Sequence, residues 1–351
     1  MRVKLIQLDG ALPNLALMKL AHWHRAHGDE VLVTHRIEPE LFEGEFHRVY
    51  GSAIFGFSVE RMARFRRCYP QGILGGTGTD DALTVEEVLA VPSYEHYSYE
   101  GWNVPYSLGF TQRGCRLQCK FCVVPSKEGR NRAVSSIAEI WRGPPHPRLI
   151  HLLDNDFFGQ PESVWNSRIE ELQAGQFRVC LSQGINVRLL TPAAAAALAQ
   201  IQYRDTKFRE RRLYTAWDNL GDERVFFRGI DLLEAAGIPP HHVMAYMLVG
   251  FDPRETWPRI WHRFDAMVAR GIRPYPMVYD RTRTDLRRFA RWVITGLYRC
   301  VPWPDYLGSA SRATVARRRA HVTPVNHELF APPIAPPLPV AQWTAADVPT
   351  A

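Results

Sequence analysis

The chain has 351 residues, with 43 Lys and Arg against 36 Asp and Glu, a formal net charge of +7, 46% apolar residues and 23% charged. This is the composition of an ordinary soluble globular protein, and the length predicts either two domains or one large barrel with an extension. No apolar run approaches the roughly 18 residues that a membrane span requires, the longest bland stretch being the alanine-rich 193–199, so a membrane protein is excluded. Met1 to Ile6 enters a strand pattern directly and shows no signal cleavage site. A cytoplasmic location is therefore expected, where reducing conditions keep thiols available as ligands. The basic balance admits a nucleic-acid partner without requiring one, because the concentrations at Arg204 to Arg212, Arg281 to Arg291 and Arg312 to Arg319 could equally be solvated helix faces.

In chain order, Val3 to Leu8 is a short apolar run, followed by Asp9 to Asn14 and a helical stretch with Leu15, Met18 and Ala21 on one face. Asn14 suits its N-cap and Gly28 its stop. Glu30 to Thr34, Arg48 to Phe57 and Gly72 to Gly76 read as further strands, with a helix over Val59 to Arg67. Such alternation predicts a parallel sheet covered by helices. His22, His24 and His27 crowd the first helix without the spacing of a ligand pair, and read as polar surface. Pro92 to Pro105, with Tyr94, Tyr97, Tyr99 and Trp102, reads as an aromatic linker whose rings pack.

A second alternation begins at Tyr106. Strands are expected at Leu108 to Thr111, Leu149 to Leu153, Phe177 to Leu181, Arg212 to Ala216, Val243 to Val249 and Pro276 to Tyr279. Helices are expected at Pro161 to Leu172, Pro192 to Gln202, Val225 to Ala236 and Thr256 to Arg270. Arg281 to Cys300 places Leu286, Phe289, Val293 and Leu297 at helical spacing. The segment from His321 onward is rich in proline and reads as an extended tail. The expected division is 1–91, a linker at 92–105, a second domain at 106–300 and an extension at 301–351.

Directly after the strand at Leu108 comes Arg113-Gly114-Cys115-Arg116-Leu117-Gln118-Cys119-Lys120-Phe121-Cys122, which holds three of the six cysteines at C-x3-C-x2-C spacing. Soft thiolates select zinc, copper(I) or iron–sulfur clusters, and a complete tetrahedral zinc or cubane takes four ligands where this loop offers three. Structural zinc would need a distant fourth ligand such as His151, Cys180 or Cys300, and disulfides suit a short secreted chain better than this one.

The loop, with Phe121 before its last cysteine, resembles the radical SAM superfamily. Its flanks, Thr111, Val123-Val124-Pro125, Gly129-Arg130 and Ile137 to Ile140, are similar to the branch that includes the enzymes with a cobalamin-binding domain and the methylthiotransferases. The resemblance implies that Cys115, Cys119 and Cys122, as the catalytic metal ligands, each hold one iron of a [4Fe-4S] cluster whose fourth iron binds S-adenosylmethionine (SAM). It also implies a fold, an N-terminal Rossmann-like α/β domain followed by a partial (β/α)6 TIM-like barrel, with its chemistry at the carboxyl ends of the strands. It further implies that SAM is held by Phe121, Asp154-Asn155-Asp156, Gln183, Asn186, Arg188, Asp218, and the turn Gly250 to Thr256 with Glu255, although Asp, Asn and Gly are also ordinary cap and turn residues.

The implied reaction is reductive cleavage of SAM to a 5′-deoxyadenosyl radical that modifies a small molecule, peptide or RNA, with flavodoxin or ferredoxin as electron donor. Within that branch the cobalamin pattern would fall on Asp9, Ala11, Asn14, Ser58 and Gly75-Gly76. Ala11 stands where the cobalt-ligating histidine would be, so a cobalamin-free domain is expected, with cobalamin-dependent methyl transfer as the alternative. Cys68 is the only N-terminal cysteine, which argues against the second cluster of the methylthiotransferases. The rival from another class is a zinc-stabilised nucleic-acid-binding protein.

Overall fold

The computed structural model describes residues 1–80 and 83–307; the basic stretch at 312–319 and the proline-rich tail lie outside the described residues. The protein is mixed α/β, with parallel sheets and eleven α-helices among the described residues. It divides into two compact units, 1–150 and 151–351. The strand Leu149–Leu152 runs across that division.

In the first unit, strands Glu30–Thr34, Arg2–Gln7, Arg48–Ser52 and Ile73–Gly75 lie side by side in that order, every pair parallel. Arg2–Gln7 is buried from its second residue onward, as a central strand covered on both faces must be. Ile6, Leu8, Ala53, Phe65 and Leu74 form a core on one side. Helix Leu15–Ala26 buries Leu17, Met18, Leu20 and Ala21, and starts where Asn14 Oδ1 accepts the Leu17 N–H at 3.2 Å. The strand expected to reach Phe57 stops at Ser52 because the next amides have another acceptor. The Asp9 carboxylate takes the N–H of Ile54 at 2.7 Å and of Phe55 at 3.0 Å, together with the Ser58 hydroxyl at 2.6 Å.

The aromatic stretch 92–105 is tied into this unit. Trp102 Nε1 donates to Gln7 Oε1 at 3.1 Å, and the Tyr99 hydroxyl accepts the Leu108 N–H at 2.7 Å. The strand after it is short, Ser107–Gly109.

In the second unit, Leu213–Ala216, Val243–Val249 and Arg273–Val278 form a parallel sheet in that order, and Arg178–Cys180 pairs in parallel with Gln202–Tyr203. Along Val243–Val249 buried and half-buried residues alternate, so one face lies under helices and the other is more open. The last strand begins at Arg273, three residues before the position expected from Pro276; prolines are tolerated there because it is an edge strand. Helices Glu162–Ala174, Pro192–Ala199, Glu223–Ala235 and Trp257–Ala269 occupy the expected intervals. Helix Thr284–Ile294 buries Leu286, Phe289 and Val293, as their spacing predicts. Among the described residues no helix is long and apolar enough to cross a membrane.

Candidate functional site

The cysteine loop hangs from a neck of two paired strands. Gln112–Arg113 runs antiparallel to Arg132–Ala133, and the Val134 N–H donates to Thr111 O at 2.9 Å. Three buried or half-buried groups lock this neck. The side-chain amide of Gln112, fully buried, donates to Arg113 O at 2.8 Å and Gly114 O at 2.6 Å. Glu128 receives Arg113 in a two-pronged ion pair at 3.0 and 3.2 Å, and accepts the Gly114 N–H at 3.2 Å. Gly114 itself has φ +78°, and a Cβ there would lie 2.3 Å from Arg130 O. The chain can cross at this point only without a side chain.

Above the neck, Cys115, Cys119 and Cys122 are half-buried, and none of the six cysteines is disulfide-bonded. The Leu117 N–H points at Cys115 Sγ at 3.4 Å, and the Cys122 N–H donates to Cys119 O at 2.9 Å, so the backbone turns between the last two thiols. Phe121 in that turn is half-buried. The short helix Val124–Lys127 follows, and Lys127 Nζ donates to Thr79 O at 2.8 Å, fixing the loop's far side to the segment after strand Ile73–Gly75. Among the described residues no three His, Cys, Asp or Glu side chains are gathered in metal-holding geometry. The donor set nonetheless fits a soft metal or cluster: three thiols, a backbone N–H aimed at one sulfur, and no carboxylate between the first and last cysteine.

In the second unit the expected site residues divide between two structural roles. Asp154 and Asp156 are buried, Asn155 half-buried and Gln183 exposed after their strands. Arg188 pairs with Asp222 at 2.7 Å and reaches Asn186 Oδ1 at 3.3 Å, while the buried Asn186 Nδ2 has no hydrogen-bond partner among the described residues. Asp218 accepts the Leu248 N–H at 2.9 Å, and burial pushes its carboxyl above the usual range. Glu255 accepts the Gly250 N–H at 2.5 Å and pairs with Arg263.

Arg263 is the residue that sequence reasoning missed. Only 1% exposed, it donates to Trp217 O and Asp218 O at 3.1 Å each and to Leu248 O at 3.0 Å. It thereby fastens the carboxyl ends of two neighbouring strands to the Glu255 turn. Its signal was a charged side chain inside the apolar stripe Ile260, Phe264, Met267. Asp218 and Glu255 are therefore held by the backbone and by Arg263, the positions a turn or cap reading gives them.

Of the distant residues considered for a zinc site, Cys180 is the poorest ligand, whereas His151 keeps the neutral imidazole that binds a metal. His151 is fully buried, its Nε2 sits 2.6 Å from Ser182 Oγ, and burial pushes its pKa down to about 4. Cys180 is also fully buried, and its thiol is pushed up to about 12, away from the thiolate that zinc requires.

In the first unit, Ala11 is exposed in the turn after the first strand. The cavity bounded by Leu17, Tyr50, Ser52, Gly76 and Val85 measures about 40 Å³, room for a few waters. Neither a scan against protein-family models nor a search of curated proteins returns a match for this chain.

Proposed function

We propose that the protein is a radical SAM enzyme with a Rossmann-like N-terminal domain and a partial (β/α)6 barrel. The observation that carries this reading is the three-thiol loop on its locked neck, a donor set one ligand short of a cubane, with Gly114 and Glu128 spent on holding the crossing rather than on ligation. In this reading Cys115, Cys119 and Cys122 hold a [4Fe-4S] cluster. When bound, the cluster supplies one electron to the sulfonium of SAM, releasing methionine and a 5′-deoxyadenosyl radical that abstracts hydrogen from the substrate. The chain's own residues do the rest. The Leu117 N–H tunes the Cys115 sulfur, the Gln112 and Glu128 contacts fix the loop's origin, and the strand-end residues Asp154, Asn186 and Arg188 orient polar groups of SAM. The N-terminal domain is read as cobalamin-free, since Ala11 has no ligand atom.

The test is anaerobic reconstitution with iron and sulfide, followed by dithionite and SAM. A cubane signal by electron paramagnetic resonance and release of 5′-deoxyadenosine are expected, with Cys115→Ala, Cys119→Ala and Cys122→Ala abolishing the nucleoside and Cys68→Ala leaving it. One zinc per chain with no iron uptake would overturn the reading, and stoichiometric corrinoid uptake would replace its cobalamin-free part.

A further inference from the structure

We infer that the second unit carries a face for the phosphodiester backbone of a double-stranded nucleic acid, formed by Arg178 and the arginines of the loop 204–212. Gln202 pairs with Arg178, and the Arg204 N–H donates to Val179 O at 2.8 Å, so the loop leaves its strand beside Arg178. Arg178 opens the strand Arg178–Cys180, and Arg212 ends the loop where Leu213–Ala216 begins. These arginines form one cationic row along the loop edge. The loop 204–212 adds Arg204 and Arg211. Arg212 is anchored to this edge by its bonds to His241 O at 2.9 Å and Glu210 at 3.1 Å.

Two carboxylates, Asp205 and Glu210, offset only part of the positive charge in this row. Asp205 spends its Oδ1 on the N–H groups of Arg209 at 2.7 Å and Glu210 at 3.3 Å, and Glu210 is taken by Arg212. Among the described residues no carboxylate forms an ion pair with Arg178, Arg204 or Arg211, and Arg178 and Arg211 are exposed. The arginines disfavour one another's charge. After burial, Arg178 and Arg211 are the next causes that disfavour the charge on Arg204. His242 is driven down to about 4 by burial and then by His241, Arg211, Arg212 and Arg204.

Like charges held together cost stability, and a polyanion relieves that cost. Arginine forks suit phosphate oxygens. The rings nearest the row, Tyr203 at 3% and Phe208 at 6% exposure, are buried and offer no platform on which bases could stack. Backbone contact to a duplex fits this surface better than capture of unpaired bases. The inference is independent of the cluster reading.

The experiment is fluorescence anisotropy with a 20-base-pair RNA duplex and a DNA duplex of the same sequence, over a salt series. The protein is the full chain. The double variant Arg178→Glu/Arg211→Glu should weaken binding at least tenfold at 100 mM salt and reduce the slope of log K against log salt by about 2. A control of equal net charge, Arg287→Glu/Arg288→Glu on the exposed face of helix Thr284–Ile294, should change the affinity less than threefold. Should the reversed pair fail to fold, Arg178→Gln/Arg211→Gln carries the same test. Equal weakening by both pairs would overturn the inference, because net charge alone would then explain binding. So would tighter binding to phosphatidylserine vesicles than to either duplex. Whether the RNA or the DNA arm binds more tightly identifies the source of the backbone.

Discussion

Glu128 joins the two ends of a loop that otherwise has 13 residues between its crossing points, Gly114 and Glu128. Its side chain is 9% exposed, so Arg113 and the Gly114 N–H depend on it in a place where water is a poor substitute. Glu128→Ala is expected to lower stability by about 1–3 kcal/mol and to reduce iron retained after reconstitution. Glu128→Gln, which keeps an acceptor for the Gly114 N–H but loses the ion pair, should fall between the two. Chemical denaturation and iron-to-protein ratios check both. Gly114→Ala should be worse, since it combines a left-handed backbone with a Cβ 2.3 Å from a carbonyl oxygen. The backbone term alone is about 1–3 kcal/mol, and no side-chain rotation relieves contact with Arg130 O. Loss of soluble protein, or of reconstitution with folding kept, is the expected result; wild-type iron uptake would count against a fixed neck.

At the scale of elements, the same kind of close approach reverses an ordinary propensity rule. Gly229 lies inside helix Glu223–Ala235, where Gly→Ala normally gains about 1 kcal/mol. Here a Cβ would stand 2.2 Å from Val187 O, because the helix packs directly on the turn Val187–Leu189. Gly229→Ala should therefore destabilise, read as a lower urea midpoint with unchanged m-value.

The elements themselves were legible in the sequence because each depends on a short-range pattern. Glu30 to Thr34 was a β-rich run, Asn14 a cap, and Leu286, Phe289 and Val293 a helical stripe. What was not legible depends on which polar groups meet. The two-residue strands of the cysteine neck carry no period that can be seen. Asp9 ends a strand 43 residues downstream by taking its next amides, and Arg263 becomes the fastening of two strand ends only when those strands are adjacent. Among the candidate residues, the thiols stand out by their spacing. Asp218 and Glu255 stand out as acids just past strands, but their contacts as backbone acceptors emerge only with Leu248 and Gly250 beside them. The cationic row follows the same logic in reverse: Arg178 and Arg211 are 33 residues apart, and the pairing of Arg178–Cys180 with Gln202–Tyr203 brings the loop that carries Arg211 next to Arg178.

Acid stability belongs to the whole molecule, because it sums groups from both units. Burial lowers the pKa of His22 in the first unit, and takes His151 and His242 in the second down to about 4 from the ordinary 6.5. For each, the unfolded chain binds the proton first as pH falls. The stability these neutral histidines hold is therefore complete above about 6.5 and is lost progressively toward pH 4. Asp265 acts in the opposite sense. Burial raises it to about 6, so the folded chain binds its proton first and loses stability as pH rises from 3.8 to 6. Asp218 is shifted the same way.

The histidines outnumber these acids, and His151 is the most deeply buried of the five groups. Its share alone is roughly 3 kcal/mol at one pKa unit per 1.36 kcal/mol. Net stability should consequently fall as pH is lowered from 7 to 4.5, by less than the histidines alone would give. His151→Gln keeps a group able to reach Ser182 Oγ and removes the titration. Its unfolding free energy should be lower than wild type at pH 7 yet vary less between pH 7 and 4.5. Parallel pH profiles for the two proteins would show that His151 is not held neutral in the folded chain.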